Sequence, residues 1–126
     1  MEAVDLTEDI LNAFPSLESC AKELKIPLGS VFDSFKAGMV ADFVLGYMVQ
    51  MEEEHPETKP VILVNCEAGV SRSAGLCMAL EDIYNKESIK KNGKLYQNNQ
   101  DYIPNTLFYK EYMNAYEERK EIYGID

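Results

Sequence analysis

The stretch Val61-Ile62-Leu63-Val64-Asn65-Cys66-Glu67-Ala68-Gly69-Val70-Ser71-Arg72-Ser73-Ala74 decides how this chain is read. Val61 to Val64 is an unbroken apolar run rich in β-branched residues, the pattern of a strand covered on both faces. From Ala74 to Tyr84 apolar residues recur at helical spacing. Between these segments lies a loop of small residues that carries Cys66 and, after five further residues, Arg72. A strand, a small-residue loop and the start of a helix are expected in that order.

A loop that enters a helix N-terminus turns free N–H groups inward and carries the positive end of the helix dipole, so it cradles anions before any side chain is added. Gly69 lets the backbone turn sharply toward the anion. Arg72 adds a planar fork suited to two oxygens of a phosphate. The same field is expected to lower the pKa of Cys66 and favour a thiolate. A nucleophile aimed at a bound phosphate suggests phosphoryl transfer through a phosphocysteine, with Ser73 donating a hydrogen bond to the departing sulfur.

The run Cys66-Glu67-Ala68-Gly69-Val70-Ser71-Arg72-Ser73 resembles the signature loop of the cysteine-based protein tyrosine phosphatases, in particular the dual-specificity branch and its small bacterial relatives. That resemblance implies Cys66 as nucleophile, Arg72 as phosphate clamp, and the backbone N–H groups of Glu67, Ala68, Gly69, Val70, Ser71 and Arg72 as the phosphate cradle. Family members usually carry His just before the Cys; here the position is Asn65, which hydrogen-bonds but carries no charge. The resemblance also implies a general acid upstream, followed by a helix that leads to the signature strand. Asp33 fits that order, and proton donation of this kind is worth roughly 10²–10⁴-fold in rate. A Pro-Asn pair often opens the family's last helix; Pro104-Asn105 stands in that place, with Asn105 either supporting the loop from behind or simply capping the helix. The resemblance covers about residues 33 to 116.

Composition narrows the field. At 126 residues the chain is expected to be one domain, 1–126, with residues 1–32 mostly helical and outside the resemblance. The net charge of −10 disfavours nucleic acid and anionic membrane as partners. The apolar run from Val40 to Met51 is too short to span a bilayer and is interrupted by Asp42 and Gln50. Three cysteines (Cys20, Cys66 and Cys77) form no framework pattern, and no leader pattern opens the sequence, so a reduced, cytoplasmic protein is expected. His55 is the only histidine and sits in a polar connector, which argues against a Cys–His or Ser–His hydrolase. Cys/His zinc spacing and the Lys of a Walker loop are both missing, so no metal or cofactor is expected.

Along the rest of the chain, Thr7 is expected to cap a short helix that Pro15 stops, and Ser16 to cap a second over Leu17–Leu24. Residues 26–33 admit two readings: an extended segment ending in an acid loop at Asp33, or the second half of a helix-turn-helix with Lys25 at the usual turn Gly. In the second reading Asp33 is a solvated helix residue, and Asp42 is the runner-up acid. Residues 37–51 read as an apolar helix whose Met39, Val40, Phe43, Val44, Tyr47, Met48 and Met51 cover one face of the sheet. Residues 85–100 read as a polar loop whose Lys86, Lys90, Lys91 and Lys94 are solvated. A last helix is expected over 107–123, capped by Asn105 or Thr106. Cys77 reads as a core residue on an apolar helix face.

Together these features predict an α/β fold, a short, mostly parallel sheet flanked by helices, like a trimmed dual-specificity phosphatase. Only 32 residues precede Asp33, so the sheet must be reduced or completed by another chain, for which a homodimer is one remedy. The expected activity is phosphomonoester hydrolysis on a phosphorylated protein or a small phosphate ester. The alternative is a catalytically weak pseudo-phosphatase that binds a phosphate or a phosphoprotein. A third reading is a small regulator whose helical opening segment meets a partner.

Overall fold

The computed structural model describes residues 3–66, 71–84 and 105–125. Among them the architecture is helical: α1 (Glu8–Asn12), α2 (Leu17–Leu24), a 3-10 turn (Leu28–Ser30), α3 (Ser34–Glu54), α4 (Arg72–Tyr84) and α5 (Thr106–Arg119). The expected sheet is not formed among the described residues. The backbone of Val61–Val64 is not helical and enters no ladder among the described residues. Val61 is 80 % and Leu63 90 % exposed, while Ile62 and Val64 are half-buried. The apolar run therefore alternates faces instead of being covered on both. The physical reason is that strand propensity needs a neighbouring strand to satisfy its backbone groups. The described residues offer none.

Local capping chemistry explains where the helices begin. Thr7 accepts from the Ile10 N–H, Ser16 from Ser19, Asp33 from Lys36, and Asn105 from Leu107 and Phe108. Helix α2 ends on Lys25 in the left-handed conformation (φ 55°), where the Ile26 N–H reaches back to Ala21 O at 2.8 Å. The helix-turn-helix reading fails just beyond this point. Its second helix is only the 3-10 turn, and Asp33 opens the 21-residue α3.

Helix α5 is the hub, packing against both α3 and α4. The main core joins large residues from around α5 (Phe32, Phe108 and Tyr112) to small ones on its neighbours (Ala37, Ala41 and Ala79). The Phe32 and Phe108 rings stack with centroids 4.2 Å apart. This corrects the expected buried stripe of α3. Its buried face is Ala37, Gly38, Ala41, Val44 and Leu45, and Phe35, Met39 and Phe43 face outward. Bulky side chains from α5 require small partners for close packing. Arg119 lies over Gly38, where any Cβ would run into its guanidinium. A second cluster (Leu6, Cys20, Val31 and Leu107) ties the opening segment and α2 to the start of α5.

A cavity of about 630 Å³ lies between Pro60 and Ile62 of the non-helical segment and Cys77, Leu80 and Tyr84 of α4. Burial there, with Tyr116 nearby, pushes the Tyr84 phenol up to about 12. No helix among the described residues is long and apolar enough to cross a membrane.

Candidate phosphate site

Cys66 lies in the non-helical segment that precedes α4, and α4 begins at Arg72, two residues ahead of Ala74, where the helical spacing starts. The cradle residues Glu67, Ala68, Gly69 and Val70 lie outside the described residues, as do Lys86, Lys90, Lys91 and Lys94. What is described is the closing pair. The Ser73 backbone N–H donates to Cys66 Sγ at 3.5 Å, and Ser73 Oγ lies 3.2 Å from the same sulfur. Cys66 is half-buried and Ser73 buried. A sulfur at the first turn of a 13-residue helix, within reach of a hydroxyl and a backbone N–H, is placed where negative charge on it is stabilised.

Arg72, half-buried, donates from Nη1 to Ala3 O at 2.9 Å. Ser71 is the junction of the site. Its carbonyl accepts from the Gly75 N–H at 2.9 Å and from the Asn105 N–H at 3.0 Å. Its hydroxyl donates to Asp5 Oδ1 at 3.0 Å. Asn105, 2 % exposed, completes the frame: Nδ2 donates to Asp5 Oδ1 at 2.7 Å and to Leu6 O at 3.1 Å, while Oδ1 caps α5. Gly75 allows this approach, because a Cβ there would run into the Asn105 carbonyl. Asn105 is the helix cap that the sequence offers, and its backbone N–H also bonds to Ser71. Asn65 is exposed.

Asp33, the acid that the resemblance implies, caps α3: its Oδ1 accepts from the Lys36 N–H at 3.0 Å. Asp33 does affect Glu111 on α5, whose carboxyl is held above the usual range by burial first and then by Asp33 and Glu118. Asp42, the runner-up, accepts from Arg119 Nε at 3.0 Å and Tyr123 OH at 3.1 Å, which makes it a structural link between α3 and the end of α5. Asp5 is a carboxylate bonded to Ser71, next to Arg72, and the sequence reading does not single it out. Nothing local marks it: Asp5 lies 66 positions from its partner Ser71, and only the folded chain joins them.

Among the described residues no cluster of three His, Cys, Asp or Glu side chains is arranged to hold a metal ion. No protein-family model, curated protein or solved structure matches the chain.

Proposed function

We propose that this chain hydrolyses phosphomonoesters through a phosphocysteine intermediate. The observation that carries the reading is the Cys66–Ser73 pair at the start of α4. In the first step the Cys66 thiolate attacks phosphorus, the S–P bond forms and the P–O bond to the leaving group breaks. The backbone cradle and the Arg72 guanidinium hold the equatorial oxygens. A carboxylic acid passes its proton to the leaving oxygen. In the second step that carboxylate takes a proton from water, the water oxygen bonds to phosphorus and the S–P bond breaks. Ser73 Oγ–H and N–H receive the returning thiolate.

Asp33 is the acid that the resemblance implies. Asp5, the carboxylate bonded to the turn that precedes Arg72, is the second candidate for the acid. Phosphotyrosine in a protein is the first substrate class and a small phosphate ester the second. A thiolate nucleophile needs a reducing setting, which favours the cytoplasm. The exposed Val61 and Leu63 leave room for a second copy to pack there, which light scattering of the purified chain tests. One observation favours the pseudo-phosphatase reading: exposed, uncharged Asn65 stands where the family has His.

The test is hydrolysis of p-nitrophenyl phosphate and of a phosphotyrosine peptide across pH 5–8 by wild type, Cys66→Ser, Asp5→Asn and Asp33→Asn. Turnover lost in Cys66→Ser supports a cysteine phosphatase. The activated aryl ester needs little proton donation, so the acid is the Asp variant that keeps this activity and loses the peptide. Wild type that binds orthovanadate without turnover is the pseudo-phosphatase. Neither turnover nor vanadate binding overturns both readings.

A further inference from the structure

The segment Ala3–Leu6 touches the candidate site more than any local pattern announces. Ala3 O accepts from Arg72 Nη1, Asp5 Oδ1 accepts from Ser71 Oγ and Asn105 Nδ2, and Leu6 O accepts from Asn105 Nδ2. The segment is itself anchored away from the loop. The Val4 N–H donates to Ser30 O at 2.7 Å, and Leu6 is buried against Cys20, Val31 and Leu107. It is a strap laid across the turn that starts α4.

We infer that this strap is a positioning element of the oxyanion site, so that its docking and anion binding reinforce each other through Arg72 and Ser71; the inference rests on the phosphate-site reading above. A guanidinium has five N–H donors in a rigid plane. One bond to Ala3 O spends one donor and orients the plane, leaving the others for oxygens of the anion. The Ser71–Asp5 bond holds the residue next to Arg72 in the same way. With the strap undocked, Arg72 and Ser71 regain freedom that an anion must then remove, and apparent affinity falls with the docked fraction. Linkage makes the effect reciprocal: a bound anion must hold the strap down.

The sign separates this inference from two simpler ideas. If Ala3 O merely occupied Arg72, the anion would displace the strap. If Asp5 acted only through its charge, it would repel the anion, and Asp5→Ala would tighten binding.

The experiment uses the whole chain and orthovanadate. Amide hydrogen exchange at Val4 reports the strap, because that N–H bonds to Ser30 O. We expect saturating vanadate to slow Val4 exchange and Val4→Pro, which deletes the strap's bond to Ser30, to weaken vanadate binding about 2- to 10-fold. Asp5→Ala is expected to weaken it as well. Vanadate that binds wild type yet leaves Val4 exchange unchanged or faster overturns the strap inference and spares the phosphate site. Tighter or unchanged binding in both Val4→Pro and Asp5→Ala does the same. No vanadate binding by wild type overturns the phosphate site and the strap together.

Discussion

Asn105 Nδ2 donates to Asp5 Oδ1 at 2.7 Å, joining two residues 100 positions apart in the chain. The same buried side chain caps α5 through Oδ1, and its backbone N–H meets Ser71 O. One residue therefore ties the strap, the start of α4 and the start of α5 together. Asn105→Ala loses a cap and a charge-assisted bond at once, with an expected cost of about 2–4 kcal/mol in chemical denaturation. Asn105→Asp keeps the cap but sets a second carboxylate against Asp5. Its stability is expected to be low at pH 7 and partly restored near pH 4, where protonation removes the repulsion.

Gly75 is the second brace. A methyl group there meets the backbone of Asn105, which cannot yield as a side chain would. Gly75→Ala gains about 1 kcal/mol of helix propensity and loses about 1–3 kcal/mol to overpacking. The expected outcome is a lower melting temperature, and a higher one would mean that α4 and Asn105 are not in close approach.

Lys25 adopts the left-handed conformation at the end of α2 with its side chain exposed. An L-residue pays for that conformation and glycine does not. Lys25→Gly is expected to raise the urea midpoint, by about 1 kcal/mol of stability.

Glu111 is held above the usual carboxyl range by burial, then by Asp33 and Glu118. Its folded form binds a proton more readily than its unfolded form, so stability falls as pH rises from about 4 through the raised pKa. Glu111→Gln removes that dependence. The variant is expected to melt higher than wild type at pH 7 and to match it at the acidic end of the window.

Val61 and Leu63 report on the missing sheet. Exposed as they are, Val61→Ser and Leu63→Ser are each expected to change stability by less than about 0.5 kcal/mol. Residues in a strand buried on both faces would each cost about 1.5–3 kcal/mol. Denaturation midpoints of the two variants decide between these architectures.

The caps at Thr7, Ser16 and Asn105 are legible in the sequence because a cap is a bond over two or three residues. The helix that follows Cys66 is legible for the same reason, since helical periodicity is local. The stripe of α3 is read correctly at Val44 and misread at Met39 and Phe43, which are exposed; Ala37 and Ala41 are buried because α5 fills the space opposite them with Phe108 and Tyr112. Asp33 as the cap of α3 is not legible, because the apolar spacing starts the helix at residue 37 while the structure starts it at Ser34.

By itself the sequence determined the caps at Thr7, Ser16 and Asn105 and the presence of a helix after Cys66, because each depends on neighbours along the chain. Tertiary structure alone decided that Val61–Val64 lies without a ladder partner among the described residues, that small residues face α5, and that Asp5 reaches Ser71 and Asn105. Those outcomes depend on which distant segment arrives to satisfy a backbone group, fill a volume or accept a hydrogen bond, and contacts across 66 or 100 positions leave no periodic trace in the chain.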